Sequence, residues 1–259
     1  MAFAHAVFEQ YRPRWQQLFA PDTRLRLEGV VLSAFAGDNG FPLTEIAEKY
    51  LNAEELARWG DFNQEKRRTE WLGGRMAAKS AGSTLLGKPE VDWANLVVRT
   101  EEDGRPYLTA GTGEAAPFIS ISHSGMMAAA LAANRPCGLD IQLPGERILR
   151  VRERFASPDE EVILKSSLGE SFAETERLTM LWAAKEAVRK MVRSSPLLGL
   201  LEIRMLAGQS GHGTPQEPLL LTFTPGRETG SCPQNISVLC FFADNLAWAM
   251  GCLPNTNKE

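Results

Sequence analysis

Histidine and cysteine are scarce in this chain, and their scarcity removes several kinds of chemistry at once. The 259 residues hold four cysteines, Cys137, Cys232, Cys240 and Cys252, with no Cys-x-x-Cys pair among them. Metal-finger and dithiol redox readings therefore fail, and reduced thiols are expected. Of the three histidines, His5 and His212 fall in a terminus and in a Gly-rich stretch, leaving His123 as the one well placed for chemistry. Positive charge is not in excess: 28 Lys and Arg stand against 32 Asp and Glu, a net charge of −4, which gives no general affinity for nucleic acid. No apolar run approaches the roughly 20 residues that span a bilayer. Met1 to Trp15 lacks the basic start and apolar core of a signal peptide. There is no Gly-x-Ser-x-Gly elbow, and the neighbours Ser122 and His123, set in a strand, would point to opposite faces. The expectation is a soluble, cytoplasmic protein without nucleic-acid or membrane partners.

What is present suits one large domain or two modest ones, with 44% hydrophobic and 23% charged residues. The pattern predicts a strand over Leu25 to Ala36, closed by an Asp38-Asn39-Gly40 turn. Thr44 to Leu51 and Ala53 to Leu86 read as helix-rich, with Asn52 as an N-cap. Leu96 to Thr100 and Tyr107-Leu108 flank a Glu-Asp-Gly-Arg-Pro turn, and Phe118 to Ser122 and Met126 to Ala133 read as two more strands. Asn134-Arg135-Pro136 is the best short linker, dividing the chain into 1–134 and 135–259. The second part repeats the scheme. A strand at Cys137 to Gln142 precedes helical stretches at Ile148 to Leu168 and Glu174 to Val192, then strands at Leu219 to Thr224, Ile236 to Phe242 and Ala247 to Cys252. Residues 208–218 read as an exposed loop. A faint internal echo aligns Trp71, Arg75 and Lys79 with Trp182, Glu186 and Lys190.

Two segments carry chemistry. Gly138-Leu139-Asp140-Ile141-Gln142 is a buried strand ending in a carboxylate. Trp182-Ala183-Ala184-Lys185-Glu186-Ala187-Val188-Arg189-Lys190 is a helix with Glu186 and Lys190 one turn apart. Brought together, Asp140 and Glu186 can hold a divalent ion, with ammonium groups alongside for phosphate. Taken alone, Asp140 reads equally as a turn cap and Glu186 as an i,i+4 partner of Lys190. Arg147, Arg150 and Arg154 recur at i, i+3, i+7 and read as a basic, partly apolar face or as a solvated amphipathic helix.

The spacing of Gly-x-Asp and, some forty residues on, Trp-x-x-Lys-Glu-x-x-x-Lys resembles the long, two-halved (Sfp-type) 4'-phosphopantetheinyl transferases. Five further segments are similar to that family's, in its order: Ala57 to Phe62, Trp71 to Arg75, Asp103 to Leu108, Ile119 to Gly125, and Arg154 to Glu160. The resemblance implies an α+β pseudo-dimer of two similar halves, each a small sheet packed on a long helix, with the active site in the cleft between them. It implies transfer of the 4'-phosphopantetheine arm of coenzyme A to a serine of an acyl or peptidyl carrier protein, releasing adenosine 3',5'-bisphosphate.

The same resemblance implies Mg²⁺ on Asp140 and Glu186, with Glu186, Lys190 and His123 as catalytic residues. Arg58, Arg105, Ser122, His123, Lys185 and Lys190 become the coenzyme A contacts, Arg105 as an exposed guanidinium at the 3'-phosphate end. The first half would hold the adenine and 3'-phosphate, and the second the metal, the diphosphate and the carrier, docked near Arg147, Arg150 and Arg154. Gln142 stands where many relatives carry a third carboxylate, so a two-carboxylate metal site is expected. A two-halved chain makes a monomer the expected state. Another coenzyme A-dependent transferase, or a non-catalytic carrier-binding protein, would use some of the same residues without the paired carboxylates.

Overall fold

A computed structural model describes residues 21–35, 42–88, 93–110, 116–169, 171–192, 196–210, 218–226 and 234–254, together with positions 19 and 194. The predicted turn at residues 38–40, most of the predicted loop at 208–218, His5, His212 and Cys232 lie outside the described residues. The chain divides into two compact units, one over Thr23–Asn134 and one over Arg135 onward, with Asp22 belonging to the second. No helix among the described residues is long and apolar enough to cross a membrane.

The first unit is a five-stranded antiparallel sheet on one long helix. Strand β1 (Leu25–Val31) ends sooner than its apolar run suggests and passes into a 3-10 turn, Leu32–Phe35. Helices α1 (Leu43–Tyr50), α2 (Ala53–Gly60) and α3 (Glu65–Leu85) follow. The stretch read as one helix-rich run is thus two helices, α2 being opened by Asn52 in a capping box with Glu55. Strands β2 (Leu96–Thr100), β3 (Pro106–Ala110), β4 (Phe118–Ser124) and β5 (Met127–Ala133) complete the sheet, in the order β1-β5-β4-β3-β2. Gly104, at φ +88, forms the tight β2–β3 turn that a side chain would strain. Every residue of β5 is buried, and Ala128, Ala130 and Ala132 leave room for Leu72, Met76 and Ala77 of α3.

The second unit repeats this topology. Strand β6 (Cys137–Gln142) leads to α4 (Arg147–Val151), a 3-10 turn (Arg152–Arg154), α5 (Pro158–Leu168) and the long α6 (Glu174–Met191). Then come β7 (Ile203–Ser210), β8 (Leu219–Pro225), β9 (Ile236–Ala243) and β10 (Leu246–Cys252), ordered β6-β10-β9-β8-β7. Strand β7 was not expected from the sequence, and it takes in Gly208 to Ser210 from the predicted loop. The β9–β10 hairpin turns on Asp244 and Asn245, both at positive φ, as a two-residue turn requires.

A buried ion pair recurs in each unit and shows that the two are repeats. Glu160, third residue of α5, accepts from Ser157 N to close a capping box, from Lys185 Nζ at 2.7 Å, and from Met205 N on edge strand β7 at 2.7 Å. Lys185 also donates to Phe155 O and Leu200 O, at 2.6 and 3.2 Å. In the first unit Glu55, third residue of α2, accepts from Asn52 N, from Lys79 Nζ, and from Val98 N on edge strand β2, while Lys79 donates to Tyr50 O. Each lysine is fully buried. The matching residues keep one offset along the chain to within two positions, so Lys79 corresponds to Lys185. The echo that aligned Lys79 with Lys190 and Trp71 with Trp182 is therefore out of register.

The pair fixes three elements at once, which makes it a stability device. Lys185→Met leaves Glu160 buried without its counter-charge, so a loss of about 3–5 kcal/mol is expected in urea unfolding. Lys185→Met combined with Glu160→Gln should regain part of that loss. A lysine that served only to bind phosphate would leave the unfolding midpoint in place.

Candidate active site

In the second unit, Gly138, Asp140 and Gln142 share one face of β6 by strand alternation, and that face lies against α6. At Gly138 the two backbones nearly touch: a Cβ there would fall 1.9 Å from Ala187 O and 2.8 Å from Met191 Cγ. Its cross-strand partner is Gly251, where a Cβ would fall 2.9 Å from Met191 Cε. Two facing glycines thus let the helix sink onto the strands. As a result, Asp140 and Glu186, two residues beyond one contact point and one residue before the other, come close enough to interact.

The electrostatics report that closeness. Glu186 is almost buried, and its carboxyl is held above the usual glutamate range, first by burial and also by the charge of Asp140. Arg189 and Lys190 act in the opposite direction. Arg189 Nη2 donates to Glu186 Oε2 at 2.8 Å. Lys190 does not pair with Glu186 across one helical turn. It crosses to β6 and donates to Asp140 Oδ1 and Leu139 O, both at 2.8 Å. The sequence reading missed Arg189; its i,i+3 spacing from Glu186 was the available signal.

Lys185 departs from expectation. Fully buried, its ammonium has all three donors committed to Glu160, Phe155 O and Leu200 O, which leaves none to meet a phosphate. Helix geometry accounts for this: the residue beside Glu186 in sequence points about 100° away around the helix. The basic segment also differs from expectation. Arg147 and Arg150 are exposed on α4, with Ile148, Leu149 and Val151 packed on the core, but α4 ends at Val151 and Arg154 leaves the stripe in a 3-10 turn.

Asp140 and Glu186 fit a divalent ion. Both are hard oxygen donors, and their mutual repulsion in a desolvated setting is what a cation would relieve. No group of three or more His, Cys, Asp or Glu gathers as a metal site among the described residues. Half-buried Gln142 is next along the same face.

In the first unit, a cavity of about 530 Å³ is lined by Arg58, Arg67, Arg75 and Arg99 together with Phe62, Trp71 and Tyr107. Glu54 and Glu55 also line it, but Glu54 pairs with Arg99 at 3.1 Å and Glu55 with Lys79. Arg75 lies 4.2 Å over the Trp71 ring, and burial pulls its guanidinium down to about 10. Its Nε is buried with no hydrogen-bond partner among the described residues. Arg58 is exposed, 3.5 Å from Asp61. Cationic forks beside aromatic faces suit a phosphorylated aromatic ligand. The sequence reading found Arg58 here but not Arg67, Arg99, Trp71 or Tyr107, which reach the cavity from three different elements.

His123, at the end of β4, sits 3.4 Å from Arg67 Nη1 and 3.8 Å from Glu70 Oε2. Ser122 beside it is buried while His123 is partly exposed, as alternation requires. Arg105 departs from expectation: its side chain is only 14% exposed and pairs with Asp103 at 3.2 Å. The turn that holds Arg105 rigid also supplies it with a carboxylate.

A strand-borne aspartate, a helix-borne glutamate and two flanking cations form one charged cluster on β6 and α6. The 4'-phosphopantetheinyl transferase superfamily profile matches residues 136–232, all in the unit that carries this centre. A holo-[acyl-carrier-protein] synthase of Lactococcus lactis subsp. cremoris (strain SK11) is 35% identical over 88 residues, 33% of this chain and 74% of that protein. One from Exiguobacterium sibiricum is 40% identical over 88 residues, 33% of this chain and 67% of that protein. A holo-(acyl-carrier-protein) synthase of Bacillus anthracis str. Ames, crystallised in complex with CoA (3',5'-ADP), is 28% identical, covering 42% of this chain and 92% of that one at a TM-score of 0.37. The chain belongs to the 4'-phosphopantetheinyl transferase superfamily.

Replacing Gly138 by alanine tests the strand–helix contact. A Cβ 1.9 Å from a backbone oxygen forces α6 off β6, so Gly138→Ala should cost about 2–3 kcal/mol in urea unfolding and weaken Mn²⁺ binding. Gly145→Ala, where a Cβ meets nothing within 4 Å, is the control and should change stability by less than about 0.5 kcal/mol.

Proposed function

We propose that this protein transfers the 4'-phosphopantetheine arm of coenzyme A to a serine hydroxyl of an acyl or peptidyl carrier protein. The observation that carries this reading is the Asp140–Glu186–Lys190 cluster, built on a glycine contact inside the segment that matches the superfamily. The serine oxygen attacks the β-phosphorus of coenzyme A, and the bond to the bridging oxygen breaks. A phosphopantetheinyl serine forms and adenosine 3',5'-bisphosphate leaves.

Asp140 and Glu186 would hold Mg²⁺, with Gln142 beside them; the ion supplies positive charge against the diphosphate. Lys190, held at Asp140 and partly exposed, adds a mobile point charge for a phosphate oxygen. Glu186, directly or through a neighbouring water, helps remove the serine proton; its Oε1 has no hydrogen-bond partner among the described residues. Arg67 contributes further positive charge to the phosphates, His123 beside it offers a ring nitrogen, and Ser122 supports the strand end that presents it.

The arginine-lined cavity takes the adenine and 3'-phosphate, with Arg58 at its exposed side and Arg105 at the neighbouring turn. The exposed Arg147, Arg150 and Arg154 segment takes an acidic helix of the carrier, where charge raises encounter rate more than final affinity. Buried thiols, with Cys252 pushed up to about 12 by desolvation, suit a reducing cytoplasm. Two complete sheets in one chain support a monomer.

Intact-mass analysis of an apo carrier protein incubated with this protein, coenzyme A and Mg²⁺ tests the reaction. The carrier should gain one phosphopantetheine arm, and EDTA, Asp140→Asn and Glu186→Ala should each abolish the gain. Activity surviving all three would refute the metal-carboxylate mechanism, and no gain with any carrier would refute the reaction.

The cavity makes a separate prediction. Arg58→Ala should weaken binding of adenosine 3',5'-bisphosphate about tenfold, a loss in the range of one charge-assisted hydrogen bond. Because Arg58 is exposed, thermal stability should be almost unchanged. Isothermal titration beside a melting curve separates the two effects.

A further inference from the structure

The metal carboxylate of this site is already occupied by a cation of its own helix. Arg189 Nη2 bonds Glu186 Oε2 at 2.8 Å, and Glu186 is the one hydrogen-bond partner that Arg189 has among the described residues. A guanidinium carries five donors, so four are uncommitted, on a side chain 35% exposed. Lys190 and Asp140 form the second such pair. Counted together, Asp140, Glu186, Arg189 and Lys190 carry no net charge, and Gln142 adds none. Entry of a divalent ion leaves the cluster with two excess positive charges, which equals the charge of a diphosphate diester. With a third carboxylate at position 142, one excess charge would remain.

A cation on Glu186 and a guanidinium bonded to the same carboxylate repel one another. The long arginine stem lets Arg189 leave without disturbing α6, and a diphosphate bound at the same cluster would supply it with anionic oxygens. We propose that Arg189 is a substrate-binding residue of this protein. It holds Glu186 in the free state and turns to a phosphate oxygen of coenzyme A once that carboxylate is taken by a divalent ion. This rests on the coenzyme A reading given above. It makes metal entry and coenzyme A binding cooperative, because the contact that Arg189 gives up to the metal is replaced only when a phosphate is bound.

The test uses the full-length protein with Mn²⁺ as probe, free Mn²⁺ being followed by electron paramagnetic resonance and coenzyme A by calorimetry. Arg189→Gln should bind Mn²⁺ alone about fivefold tighter than wild type, since the competing cation is gone. In saturating Mn²⁺ it should bind coenzyme A about tenfold more weakly, one charge-assisted contact being lost. Arg189→Lys should restore most of the coenzyme A affinity. Unchanged coenzyme A affinity in Arg189→Gln overturns the proposal whatever happens to Mn²⁺, and so does weaker Mn²⁺ binding in that variant. Wild-type protein that binds no coenzyme A in the presence of Mn²⁺ would instead bring down the coenzyme A reading and this proposal with it.

Discussion

The close approach of strand β6 and helix α6 sets where the charged side chains of the second unit meet. Side chains of ordinary size would hold the two backbones further apart and shift Asp140 relative to Glu186. Gly138 and its neighbour Gly251 remove that spacer where Ala187 and Met191 press on the sheet. The rest of the centre follows from periodicity. Alternation along β6 turns Asp140 the same way as Gly138, and the helical repeat sets Glu186 beside Ala187 and brings Lys190 back over β6. The glycine of the Gly-x-Asp segment is therefore as much part of the site as the aspartate.

Bringing like charges together in a desolvated place is unfavourable, and the elevated proton affinity of Glu186 is its direct expression. The frame must resist relaxing. Lys185 and Glu160 supply that resistance from the other side of α6, tying it to the start of α5 and to edge strand β7. The first unit has the same tie at Lys79 and Glu55 but different chemistry nearby, an arginine-lined cavity with aromatic walls. One duplicated scaffold thus carries two kinds of charged cluster: one lines a cavity with guanidinium groups, and the other brings two carboxylates together beside two cations.

Much of this was legible in the sequence, because strand alternation, turn residues and capping boxes are local signals. The Asn52 cap, the Asp103-Gly104 turn and the strands at 118–133 and 137–142 all follow from neighbours along the chain. What was not legible depends on contacts between distant elements. Lys185 reads as a phosphate ligand until the packing of α5 and β7 buries it, and Arg105 reads as exposed until Asp103 folds back onto it. Strand β7 has a weak pattern of its own and is recruited by Glu160 and by pairing with β8. The internal echo failed for a related reason. Tryptophan spacing is a poor register mark, whereas the buried pair, which sets the true register, depends on residues far apart in sequence.

Gln142 and Arg189 together give this site its individual character. On the reading proposed above, an amide at position 142 in place of a carboxylate leaves one negative charge fewer to hold a divalent ion, and the guanidinium on Glu186 competes for another. The same two features leave more positive charge for a diphosphate that arrives with the ion. On that reading the centre would favour metal and diphosphate together over metal alone, through charge balance across four side chains.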